Sequence, residues 1–190
     1  ADAELLIHGP AGQRRWPLPP LSAGVSPALL SHVAARRLKL TPQVAALGLA
    51  QQPDFPHLDI EPLDQGPSAC LSSGAAMPLP RVQHLWIQGE QLGRRLQRPL
   101  VLAECVPGGT TTAQAVLTAL GVEVAHLISG SARHPPQQLK QELVSKGLQR
   151  ASLGAHPSPE QILAAVGDPF QAFATGVLVG AVSAGQPLLL

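Results

Sequence analysis

Residues 99–121 read PLVLAECVPGGTTTAQAVLTALG, from Pro99 to Gly121. Leu100, Val101, Leu102 and Ala103 form a short apolar run, which predicts a buried strand ended by the carboxylate of Glu104. Pro107, Gly108 and Gly109 predict a turn, and Thr110, Thr111 and Thr112 open a helix whose apolar residues follow at helical spacing. Such a strand, glycine turn and helix start suit an anion. The first N–H groups of a helix lack intrahelical partners and carry partial positive charge, and glycine lets a ligand approach the backbone. On these residues alone a ligand cradle and a plain structural turn stand level.

Three better-known phosphate motifs are excluded. GGTTT has no Gly-Lys-Ser/Thr ending, so no lysine is placed on β- and γ-phosphates, and no spaced G-x-G-x-x-G marks a dinucleotide site. A phosphoribosyl-diphosphate loop brings paired acids ahead of its threonines, and only Glu104 stands here. Glu104 is the sharpest single residue, because a carboxylate at the end of an apolar strand is costly if buried unpaired. It is expected to cap the turn, bond ribose hydroxyls or act as a base, and the residues leave these open. Cys105 beside it reads as a buried, inert thiol, since no sequence feature names a histidine to activate it. The histidines show no HxxxH or HExxH spacing, and there is no G-x-S-x-G elbow. No metal and no cofactor are expected.

The 190 residues suit one α/β domain over 1–190. Apolar residues make up 45% and charged residues only 13%, which hints at apolar surface that meets a partner or further chain. The net charge of +1 and the absence of a long basic run argue against a nucleic-acid partner. Two cysteines are too few for a zinc or disulfide framework, so a reduced, cytoplasmic setting is the default. The apolar segment 172–190 contains Gln186 and Pro187 and reads as a buried helix and strand rather than a membrane span. Both ends read as cut, the last at PLLL in mid-strand, so a larger parent or second chain is expected to complete the fold.

Along the chain, Glu4 to Ile7 reads as a strand, and Ser26-Pro27 starts a helix with serine as N-cap. Val44 to Leu49 reads as a strand, and His57 to Pro62 as an edge strand with Asp59 and Glu61 on one side, where a solvated edge outweighs a metal site. Residues 64–80 form a long loop suited either to lining a pocket or to plain connection. Helices follow at Pro80 to Gln97, after Pro135-Pro136, after Ser158-Pro159 and after Asp168-Pro169. Val122 to Ile128 reads as a strand, and Ser129 and Gly130 behind it form a second pocket candidate. Strands alternating with helices predict a mainly parallel sheet flanked by helices, in a Rossmann-like three-layer arrangement.

AECVPGGTTTAQAVLTALG, together with ADAELL, the SPALL helix and DPFQAFATGVLVGA, resembles the nicotinate-nucleotide–dimethylbenzimidazole phosphoribosyltransferase family, and most closely its uncharacterised cyanobacterial and archaeal branch. The resemblance implies transfer of ribose phosphate from nicotinate mononucleotide to a benzimidazole nitrogen, in synthesis of the cobalamin lower ligand. In better-known members a similar turn helps hold the mononucleotide, which implicates Glu104, Gly108, Gly109, Thr110 and Thr111. Glu104 is taken as the catalytic candidate, and Thr112 and the strand-end residues Ser129 and Gly130 join the substrate-binding candidates. It also implies small-molecule partners and a homodimer, and neither metal nor membrane. CVPGG departs from the better-known glycine-rich sequence, which puts the choice of substrate in question. The general base of those enzymes is a glutamate in a C-terminal part that this chain is not expected to include. A nucleotide-binding or regulatory module without turnover is the rival reading.

Overall fold

The structure, a computed structural model, describes residues 1–12, 14–18, 26–128, 130 and 134–190. Its frame is a pair of helices, α3 (Leu79–Arg94) and α7 (Pro169–Ser183). Gly89 and Gly93 on α3 face Gly176 and Gly180 on α7, so the two backbones touch. A Cβ added at Gly176 would lie 2.1 Å from the Trp86 carbonyl oxygen, and one at Gly89 2.1 Å from that of Phe173. Val82 and Leu85 of α3 pack with Ala172, Phe173 and Val177 of α7, joined by Met77 and by Leu163 of α6 (Pro159–Val166). Burying each large apolar side chain contributes about 1.5–3 kcal/mol.

A second cluster joins α6 to α4 (Gly109–Ala119) and α5 (Gln137–Ala151) through Ala115, Val144, Ile162 and Val166. Short helices α1 (Asp2–His8) and α2 (Pro27–Arg37) pack on each other. The Ser26 side chain caps α2 as expected, and Ser158 and Asp168 head α6 and α7 with full capping boxes.

The strands are short. β1 (Ala45–Ala46) pairs in parallel with β2 (Leu58–Asp59), and β3 (Leu100–Val101) in parallel with β4 (Leu188–Leu189). The parallel α/β class therefore holds, but among the described residues the strands form separate two-stranded pairs and not one three-layer sheet. Two strand expectations are corrected. Residues 4–7 are helical: Asp2 and Glu4 sit in the first turn and His8 in the last, as the helix dipole favours, and a four-residue apolar run does not tell strand from helix. Residues 122–128 run through turns, because no strand among the described residues pairs with them. The Val122 N–H returns to the Leu117 carbonyl, the Leu127 N–H returns to Val124, and Leu127 is 77% exposed.

Glu61 is also corrected. It is buried, and Arg81 grips it with two bonds of 2.8 Å while the Gly48 N–H donates to it at 2.7 Å. Only Asp59 lies on a solvated edge, paired with His57 at 2.9 Å. The segment 169–190 is a buried helix and a short strand, and no helix among the described residues is long and apolar enough to cross a membrane.

Gly176→Ala forces a methyl group into backbone and is expected to lower stability by about 2–3 kcal/mol. Gly154→Ala, whose Cβ would meet open space, is expected to stay within about 0.5 kcal/mol. Urea unfolding of both variants measures the contrast.

Candidate functional site

The turn after β3 builds a cradle. Gly108 precedes α4 with φ +77°, a left-handed conformation that glycine adopts without strain, and it offers no side chain to cap the helix. The Gly109 N–H goes to the Val106 carbonyl at 2.9 Å and the Thr111 N–H to Gly108 at 2.8 Å. The N–H groups of Gly108 and Thr110 take no backbone acceptor among the described residues. Both residues line a cavity of about 310 Å³ with Glu104, Gly109, Thr111 and Lys140.

Glu104 is exposed and stands at the lip of this cavity. One carboxylate oxygen accepts the Val106 N–H at 2.5 Å, and a Cβ at Gly109 would lie 3.5 Å from both oxygens. Glu104 thus caps the turn, as one of its expected roles required, and also lines the cavity. Lys140, in the first turn of α5, supplies a cation that sequence reasoning missed. It is only 6% exposed, and its ammonium donates to the Thr110 hydroxyl at 3.0 Å. Gly130 sits beside it, since a Cβ there would be 3.5 Å from Nζ. The structure therefore gathers Glu104, Gly108, Gly109, Thr110, Thr111 and Gly130 around one cavity. Ser129 lies outside the described residues. Thr112 is not in the lining; its hydroxyl points to Asp168 at 2.6 Å.

A larger cavity of about 390 Å³ opens at the carboxyl ends of β1 and β2, beside Gly48, Leu49, Gln52 and Ile60. Its buried charge, Glu61, is already satisfied by Arg81 and Gly48, so the smaller cavity is the better anion site.

Cys105 is exposed rather than buried. Burial of the sulfur, then the Asp2 carboxylate that accepts its S–H, then Glu104 push the thiol up to about 11. At Cys70 the Ser72 hydrogen bond lowers the thiol instead, and Lys146 adds to this. A raised thiol value means that thiolate appears only at higher pH. Between pH 7 and 9 Cys70 is expected to alkylate at least about tenfold faster than Cys105, whose modification rises only toward pH 11. Differential alkylation with mass spectrometry reads this order.

Residues 28–190 match the family described as phosphoribosyltransferase. The chain is 66% identical over 190 residues to a UPF0284 protein of Parasynechococcus marenigrum strain WH8102, covering 100% of this chain and 48% of that protein. It is 62% identical over 190 residues to a UPF0284 protein of Prochlorococcus marinus strain MIT 9313, covering 100% and 47%. The chain thus spans about half the length of the relatives it matches. It is similar to the crystal structure of CobT from Thermus thermophilus, with TM-score 0.72 at 21% identity over 98% of this chain and 52% of that one. It is also similar to a nicotinate-nucleotide-dimethylbenzimidazole phosphoribosyltransferase from the same organism, with TM-score 0.67 at 24% identity over 83% and 48%. These likenesses show a shared α/β fold.

Proposed function

The chain belongs to the phosphoribosyltransferase family, and on that premise we propose that its cradle holds the phosphate of nicotinate mononucleotide while the whole protein passes the ribose phosphate to a benzimidazole nitrogen. The observation that carries this reading is the meeting of Lys140, the Gly108 and Thr110 N–H groups and Glu104 around one cavity. A helix start and an ammonium suit a phosphate dianion. A carboxylate lining the same cavity suits the ribose, through its hydroxyls or its reacting carbon.

In the proposed transfer the bond from ribose C1′ to the nicotinate nitrogen breaks, and its electron pair leaves with nicotinate. A benzimidazole nitrogen forms the new bond to C1′, and the proton on the other ring nitrogen passes to a general base of the whole protein, the C-terminal glutamate that the family resemblance implies. Positive charge builds on the ribose as the first bond breaks, and in this proposal the Glu104 carboxylate offsets it. The cradle contributes mainly by holding C1′ in line with the acceptor.

Nicotinate mononucleotide is expected to raise the melting temperature of the full-length protein, since a ligand that binds only the folded state at 100 times its Kd stabilises by about 2.7 kcal/mol. Lys140→Met is expected to weaken binding at least about tenfold. Glu104→Gln is expected to bind within a few-fold of the parent and to release nicotinate about a hundredfold more slowly when dimethylbenzimidazole is supplied. No thermal shift in the parent protein sinks the ligand reading. Tight binding with no nicotinate released leaves a nucleotide-binding module.

A further inference from the structure

Asp168 carries a feature that capping a helix does not require. It is 3% exposed, and one carboxylate oxygen accepts the Gln171 N–H at 2.9 Å while the Gln171 side chain takes the Asp168 N–H at 3.1 Å. That box heads α7. At α6 a serine, Ser158, does the same with Gln161. Serine or asparagine caps a helix as well as aspartate does, and a buried charge is costly. What the acid adds is its second oxygen, which lies 2.6 Å from the Thr112 hydroxyl. The same hydroxyl is 2.9 Å from the Gly109 carbonyl, but it has one proton to give, and the shorter contact is to the carboxylate.

Thr112 lies in the first turn of α4, with its own N–H 3.3 Å from the Gly108 carbonyl. α4 has no side-chain cap of its own. A capping side chain would fix this helix start but would also consume N–H groups that a ligand needs. Asp168 bonds this turn from the side, while the Gly108 and Thr110 N–H groups take no backbone acceptor among the described residues.

We propose that Asp168 is a positioning residue of the cradle, acting through Thr112 to hold the first turn of α4 in its anion-binding geometry. The proposal rests on the cradle being a ligand site. Because α7 is locked to α3 by direct backbone contact, the carboxylate is a fixed anchor, and the cradle takes its position from the core helix pair.

The experiment compares Thr112→Val, Thr112→Ser and Asp168→Ser in the full-length protein by amide hydrogen exchange and by titration with nicotinate mononucleotide and with inorganic phosphate. Thr112→Val keeps the volume and removes the hydroxyl. It is expected to speed exchange over residues 109–113 about tenfold and to weaken nucleotide affinity about tenfold, with α3 and α7 protected as in the parent. Thr112→Ser is expected to restore both within about twofold. Asp168→Ser keeps a cap on α7, as Ser158 does on α6, and is expected to loosen only the first turn of α4. Parental exchange and affinity in Thr112→Val, or a serine variant no better than valine, overturns the role of Asp168. A parent protein that binds neither nucleotide nor phosphate overturns the ligand reading of the cradle and this proposal with it, so the two failures are distinct.

Discussion

The approach of α3 and α7 at their glycines is the constraint from which the rest of the structure follows. Side chains normally keep helix axes 8–10 Å apart. Here Gly89, Gly93, Gly176 and Gly180 let backbone meet backbone, and the flanking Val82, Leu85, Phe173 and Val177 close around the contact. A pair packed in this way has little freedom to slide or rotate, because backbone atoms cannot change rotamer. The head of α7 is thereby fixed, and α6 arrives at it through Gly167, itself pressed against Leu163. Everything attached to the head of α7 inherits that rigidity.

Charge is scarce in this chain, and an unusual share of it is placed inside. Arg81 and Glu61 form a buried pair, and Arg81 also donates to the carbonyls of Gln65 and Gly66. A buried pair adds little net stability once desolvation is counted, so its effect is better seen as fixing the loop after β2 in one register. Lys140 and Asp168 are buried as well, and each holds a hydroxyl of the first turn of α4: Lys140 holds Thr110 and Asp168 holds Thr112. Glu104, at the same cavity, is exposed.

The helices were legible because their signals are local. Ser26-Pro27, Ser158-Pro159 and Asp168-Pro169 each announce a start within two residues, and the structure caps the helices there. The glycine turn and its threonines were legible for the same reason. The strands were not, because a strand is defined by a partner. Val122 to Ile128 has the composition of one and lacks the neighbour, whereas Leu100–Val101 finds its partner far along the chain at Leu188–Leu189. Lys140 was missed because nothing local separates it from an ordinary surface lysine. The usable signal was its place, in the first turn of a helix that follows the Gly130 loop. Asp168 was read only as a helix start. The comparison with Ser158 shows what could have exposed it, an acid where a hydroxyl suffices.

The site does stand where open α/β sheets place their ligands, past the carboxyl end of a strand, with Glu104 following β3. Yet β3 and β4 are two residues each, and a two-stranded pair is marginal on its own. Such a pair cannot set the position of the turn and the start of α4 to the fraction of an ångström that orientation of a ligand requires. The helices can. α5 reaches the cradle through Lys140 and Thr110, α7 through Asp168 and Thr112, and both helices are built into the two apolar clusters. The sheet therefore gives this site its address, and the helix core gives it its geometry.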